Sequence, residues 1–149
     1  MGPTSLNSSN MSPKQLVVGT FVGGLTLSAT AYVIFGIAFP EFFTNFMNAG
    51  SAMNVGRHPP LLWAVALAML SYGLLMTLAV WSRAGSLTTR AGVTTGAVVS
   101  FLLWFTADFM LYGISNVGSL KGTVTDPLLE MVPGAITGGV IAAVLRTIR

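Results

Sequence analysis

The chain has 149 residues, of which 53% are apolar and 7% charged, with a formal net charge of +3 and a mean hydropathy of +0.77. Soluble domains carry about a quarter charged residues, so water is excluded as the main solvent, and the length accommodates one compact helical unit without a second folded domain. With no cysteine, disulfides, thiol redox chemistry and thiolate metal sites are excluded, and the scattered basic residues form no patch suited to nucleic acid.

Residues 1–12 are polar and rich in Ser and Asn, and read as a flexible cytoplasmic tail ahead of a single transmembrane domain over 13–149. Four long apolar stretches follow, at about 16–39, 61–81, 91–112 and 128–145. Crossing a hydrocarbon core takes about 20 residues of helix, so the expected fold is an all-α integral membrane bundle of four transmembrane helices, with the fourth the shortest. Ser12-Pro13-Lys14-Gln15 starts the first helix with a capping serine, a proline at the first helical position and a glutamine able to return the hydrogen bond. Ser28-Ala29-Thr30-Ala31 resembles a signal-peptidase site, but the apolar run continues to Phe39, so this helix is read as a retained span.

After it, Phe39, Phe42, Phe43, Phe46 and Met47 recur at helical spacing beside polar positions, which predicts a short interfacial helix near 41–49. His58-Pro59-Pro60 is expected to open the second helix. Asp126-Pro127 is expected to open the fourth, with Asp126 as its cap and Pro133 as a kink. Lys14, Arg83, Arg90, Arg146 and Arg149 fall on one side of a four-span layout and Arg57 and Lys121 on the other, which puts both termini in the cytoplasm of a cell with this protein in its inner membrane.

Small residues spaced four apart recur in the spans: Gly19 and Gly23, Thr20 and Gly24, Ala64 and Ala68, Gly92 and Gly96, Gly134 and Gly138, Ala135 and Gly139. Such surfaces let helix backbones approach closely in lipid, where no hydrophobic force draws helices together. The glycine pairs are the expected helix-packing residues.

Candidate chemistry is sparse. Asp108 is the one acid well inside an apolar run, flanked one turn away by Trp104 and Tyr112, and such a residue is costly unless partnered. Its expected partner is Tyr112, Thr106, a neighbouring helix, Arg57 or Lys121. Glu130 sits where amide dipoles at a helix start favour a carboxylate, and could share a proton or cation with Asp108 if the helices face one another. His58, the only histidine, could offer one axial ligand to haem or chlorophyll. No cofactor is otherwise expected, and no metal site, which would need more ligands than lie nearby.

Phosphate-binding glycine loops, nucleophile elbows and His-Glu metal helices are absent from the sequence, so no enzyme is expected. The layout, with an acid late in the third span (Trp104-Phe105-Thr106-Ala107-Asp108) and Asp126 before the fourth, resembles small four-helix bacterial membrane families of unknown function, the DUF1761 and DUF2177 groups. That resemblance implies a four-span fold and no activity. The paucity of buried charge favours a structural or accessory subunit in a larger membrane assembly, partnered by lipid and by other subunits or its own copies. The alternative is a small proton- or cation-coupled transporter or channel using Asp108 and Glu130.

Overall fold

A computed structural model describes residues 10–42, 57, 59–83 and 87–148. The described residues are all-helical, with four helices long and apolar enough to cross a membrane. The first, α1 (Pro13–Ala31), continues as a π-helical segment (Tyr32–Ala38); α2 is Leu62–Trp81, α3 is Thr89–Ile114 and α4 is Leu120–Thr147.

Local chemistry accounts for most of the boundaries. The Ser12 hydroxyl accepts from the Gln15 amide at 3.2 Å while Gln15 Oε1 accepts from the Ser12 amide at 2.9 Å, a closed capping box. Further along α1, Thr26, Ser28 and Thr30 each donate to the carbonyl four residues back, a pattern that loosens a helix, and the helix widens into π geometry immediately afterwards. Thr88 caps α3 by accepting from the Ala91 amide. The start of α2 has Leu61 at its N-cap position and no side-chain cap, so its polar flank contributes less than the His58-Pro59-Pro60 motif suggested. The expected interfacial helix is helical at 40–42; the rest of it, 43–49, and His58 lie outside the described residues.

The fourth helix corrects the sequence reading. It begins at Leu120, two turns before the expected start, with Ser119 as its cap accepting from the Gly122 amide at 3.1 Å. Asp126 therefore caps nothing and sits inside the helix. Lys121-Gly122-Thr123-Val124-Thr125 looks like a loop by composition, but it is helical, with both threonine hydroxyls donating back to the Ser119 and Lys121 carbonyls. Pro127 and Pro133 also lie within the helix and end it nowhere. Each lacks an amide hydrogen, so the Thr123 and Leu129 carbonyls have no helical donor four residues on.

The helices pair as two hairpins, α1 with α2 and α3 with α4, and the hairpins dock mainly through α1 and α4. Close backbone approach makes each hairpin. A Cβ added at Gly73 would stand 2.4 Å from the Thr20 carbonyl oxygen and 2.5 Å from the Gly24 nitrogen, and one at Gly96 would stand 2.1 Å from the Gly134 carbonyl oxygen. Ordinary contacts of this kind begin above 3 Å, so only glycine fits. Of the other small-residue pairs, Ala64 is half-buried and Ala68 exposed; they do not form a packed seam within the chain.

The interior is divided along its length. Toward the end bearing the 82–88 connection it is mainly apolar, built from Met76, Val80, Leu87, Ile141, Ala142 and Leu145, with Gln15, Thr77 and Thr137 the buried polar residues there. Toward the end bearing the short α3–α4 connection it is polar, with Ser100, Asp108, Thr123, Asp126 and Glu130 all buried. Large apolar side chains such as Leu25, Leu62, Trp63 and Ile114 point outward and are mostly exposed. Apolar outside and polar inside is the reverse of a water-soluble bundle.

Candidate functional site: a buried cluster of carboxyl groups

The seam between α3 and α4 is built from two stripes of four-residue spacing. On α3 it runs Gly92, Gly96, Ser100, Trp104, Asp108, and on α4 it runs Asp126, Glu130, Gly134, Gly138, Ala142. The helices are antiparallel, so the stripes meet in reverse order. An added Cβ at Gly92 would meet the Gly138 oxygen at 2.3 Å and the Ala142 Cβ at 2.6 Å; one at Gly134 would meet Ser100 Oγ at 2.0 Å. The same register that interlocks the glycines carries the acids together at the far end of the seam.

There the carboxyl groups of Asp108 and Asp126 lie within hydrogen-bonding reach of one another, and Glu130, one turn along α4 from Asp126, is close enough to interact electrostatically with both. The three residues are only 5%, 2% and 6% exposed respectively, so solvent does little to spread their charge. They are three of the four acidic residues in the chain; the fourth, Glu41, is exposed. Among the described residues, no lysine, arginine or histidine is one of the groups acting on them, and no ion pair is formed.

Two helices away in sequence, α2 contributes Tyr72. Its hydroxyl is hydrogen-bonded to Ser100 Oγ, and it lies by the Trp104 indole and within electrostatic range of Glu130. The indole nitrogen nevertheless completes no hydrogen bond of good geometry, and neither do Asp108 Oδ2, Asp126 Oδ1 or Thr137 Oγ1, all buried. Buried polar atoms normally find partners. Two carboxyl groups within hydrogen-bonding reach, as Asp108 and Asp126 are, can share one proton and so satisfy an oxygen on each. No three His, Cys, Asp or Glu side chains among the described residues are arranged to hold a metal ion.

The residues singled out from sequence divide as follows. Asp108, Glu130 and Trp104 come together. Tyr112 is 40% exposed and takes no part in the cluster, and Thr106 is exposed with its hydroxyl turned to the Leu102 carbonyl at 2.8 Å. Arg57 and Lys121 are exposed. Of the packing glycines, Gly92, Gly96, Gly134 and Gly138 interlock α3 with α4, while Gly19 faces Thr77 and Gly23 faces both Gly73 and Ile141.

Sequence reasoning missed Asp126, Tyr72 and Ser100. Pro127 gives Asp126 the look of a cap, yet Asp126 continues the four-residue stripe of Glu130, Gly134 and Gly138. Extending the glycine pattern in both directions would have found it. Tyr72 carries no such signal.

No known protein family, curated protein or solved structure matches the chain.

Proposed function

We propose that the chain is a four-span integral membrane protein that binds protons at Asp108, Asp126 and Glu130 and uses them in proton-coupled transport. The observation that carries this reading is the gathering of three of the chain's four acids at one buried place with no basic partner among the described residues. A single buried acid is readily explained by a hydrogen bond to a neighbour. Three placed together are costly for folding, since an aspartate within a span costs up to about 2.5–3.5 kcal/mol on insertion scales, the full figure applying at its centre, and like charges add to that. Intramembrane carboxyl clusters of this sort are the usual components of proton relays.

The expectation of an accessory subunit rested on a scarcity of buried charge, and the clustering weakens that ground. A proton suits the site better than a metal ion because no three acidic or histidine side chains among the described residues are grouped to hold one. In a four-span layout both termini lie on one side, and the five-to-two excess of basic residues at that end makes it the cytoplasmic one. The cluster then lies toward the outer face, with the apolar half of the core between it and the cytoplasm.

The test is proton flux in liposomes containing the purified protein and an internal pH-sensitive dye. Under an imposed proton gradient the wild type is expected to move protons, and Asp126→Asn and Asp108→Asn to abolish that movement while eluting as monodisperse, helical protein. Flux undiminished in both variants would overturn the reading.

A further inference from the structure

The acid cluster belongs to one hairpin, yet a polar side chain that reaches it comes from the other. Each hairpin is stiff on its own account: Gly73 is pressed against the α1 backbone at Thr20 and Gly24, and Gly92, Gly96, Gly134 and Gly138 interlock α3 with α4. Tyr72 is the neighbour of Gly73, so its backbone is tied to α1. Its side chain crosses to the second hairpin, bonded to Ser100 and within electrostatic range of Glu130.

Tyr72 also marks the edge of the packed zone. Within α2 the buried residues are Tyr72, Gly73, Met76, Thr77 and Val80, with none before Tyr72. Within α1 nothing is buried after Leu27, and the π-helical segment buries nothing at all. At the other end the hairpins are joined by apolar packing, in which the Ile141 side chain meets Gly23 amid Leu27, Met76, Val80 and Leu145. The two rigid hairpins thus share an apolar pivot at one end and, next to the acids, a hydroxyl contact.

We infer that Tyr72 is the positioning residue that converts the protonation of the cluster into a change in the placement of one hairpin against the other. This rests on the proton-binding reading above. The Tyr72 hydroxyl is bonded to Ser100 Oγ, where either oxygen can donate, and in this inference the Glu130 carboxyl, on the same hairpin as Ser100, is its second partner. With a proton on Glu130 the group is neutral, and the bond to Ser100 is kept. When that proton leaves, the Glu130 carboxylate is the stronger acceptor, because charge-assisted hydrogen bonds are roughly twice as strong as neutral ones.

Tyr72 O–H then donates to Glu130 and Ser100 is released. Ser100 lies against Gly134 and shares the interlocked α3–α4 hairpin with Glu130, so its backbone keeps its place relative to the acids. The shift is carried by Tyr72, and with it by the α1–α2 hairpin clamped at Gly73. The groups that bear on this exchange are Ser100, Trp104 and Asp108 from α3, Asp126 and Glu130 from α4, and Tyr72 from α2; α1 brings no titratable side chain to the cluster among the described residues.

The absence of cysteine makes the test direct. Leu61→Cys on the first hairpin and Gly113→Cys on the second, where an added Cβ meets nothing within 4 Å, carry spin labels for distance measurement in liposomes over a pH series. Infrared spectra of the same samples follow the protonated carboxyl band. The expected result is a label distance that shifts as that band is lost. In Tyr72→Phe the band still titrates and the shift disappears; Glu130→Gln holds the low-pH distance at every pH, and Ser100→Ala holds the high-pH distance. A wild-type distance that stays fixed while the band titrates would overturn the inference, as would a Tyr72→Phe protein that shifts like the wild type. Absence of any protonated carboxyl band would overturn the proton-binding reading instead.

Discussion

Replacing Gly96 by alanine tests the close-packed seam that brings the acids together. The added methyl would lie 2.1 Å from the Gly134 carbonyl oxygen and 3.0 Å from the Gly138 Cα, both backbone atoms, so no side-chain rotation relieves it. Reaching an ordinary carbon–oxygen contact requires α3 and α4 to part by about 1 Å, a gap that forfeits a quarter to a half of the dispersion energy of each contact along the stripe. Overpacking of this kind costs about 1–3 kcal/mol, and the helix propensity gained by removing a glycine returns up to about 1 kcal/mol. The expected net loss is therefore about 1–2 kcal/mol in reversible unfolding from mixed micelles. The control is Gly113→Ala, where the same methyl meets nothing and the change is expected to be neutral or slightly stabilising. Equal stability of Gly96→Ala and Gly113→Ala would refute the close-contact reasoning.

Other outcomes follow from the same structure. Ser119→Ala removes the cap of α4 and is expected to cost about 1 kcal/mol, read in the same unfolding assay, whereas Asp126→Asn leaves the α4 start intact because Asp126 caps nothing. Met76→Ala opens a cavity at a fully buried position and is expected to cost about 2–5 kcal/mol. Tyr112→Phe leaves proton flux unchanged, since Tyr112 is exposed and outside the cluster. Single cysteines at Ser82 and Gly113 are expected to label from opposite sides of the membrane in intact cells, with Ser82 reached only after the cytoplasm is opened; labelling of both from outside would contradict the four-span layout.

Much of the helical fold was legible in the sequence because long apolar runs follow a simple code. Twenty or so apolar residues in a row announce a span, and the Ser12 and Gln15 pair announced the first helix start. The start of α4 was not legible, because Gly122, Thr123 and Thr125 have loop-like composition and their helical back-bonds depend on a cap at Ser119. That error hid Asp126. With α4 extended by two turns, Asp126 moves from a boundary cap to a stripe position one turn from Glu130, and the pairing expected between Asp108 and Glu130 becomes a cluster in which Asp126 is the nearer partner of Asp108. Tyr72 was illegible for a different reason: an aromatic residue inside an apolar run gives no sign of which neighbour its hydroxyl meets, and that depends on how α2 is rotated against the second hairpin.

The most direct measurement is the infrared carboxyl spectrum of the protein in lipid bilayers. A proton held between Asp108 and Asp126 predicts a band from a strongly hydrogen-bonded, protonated carboxyl group that disappears in both Asp108→Asn and Asp126→Asn and persists in Glu41→Gln. A band unaffected by either aspartate substitution, or no such band in the wild type, would contradict it.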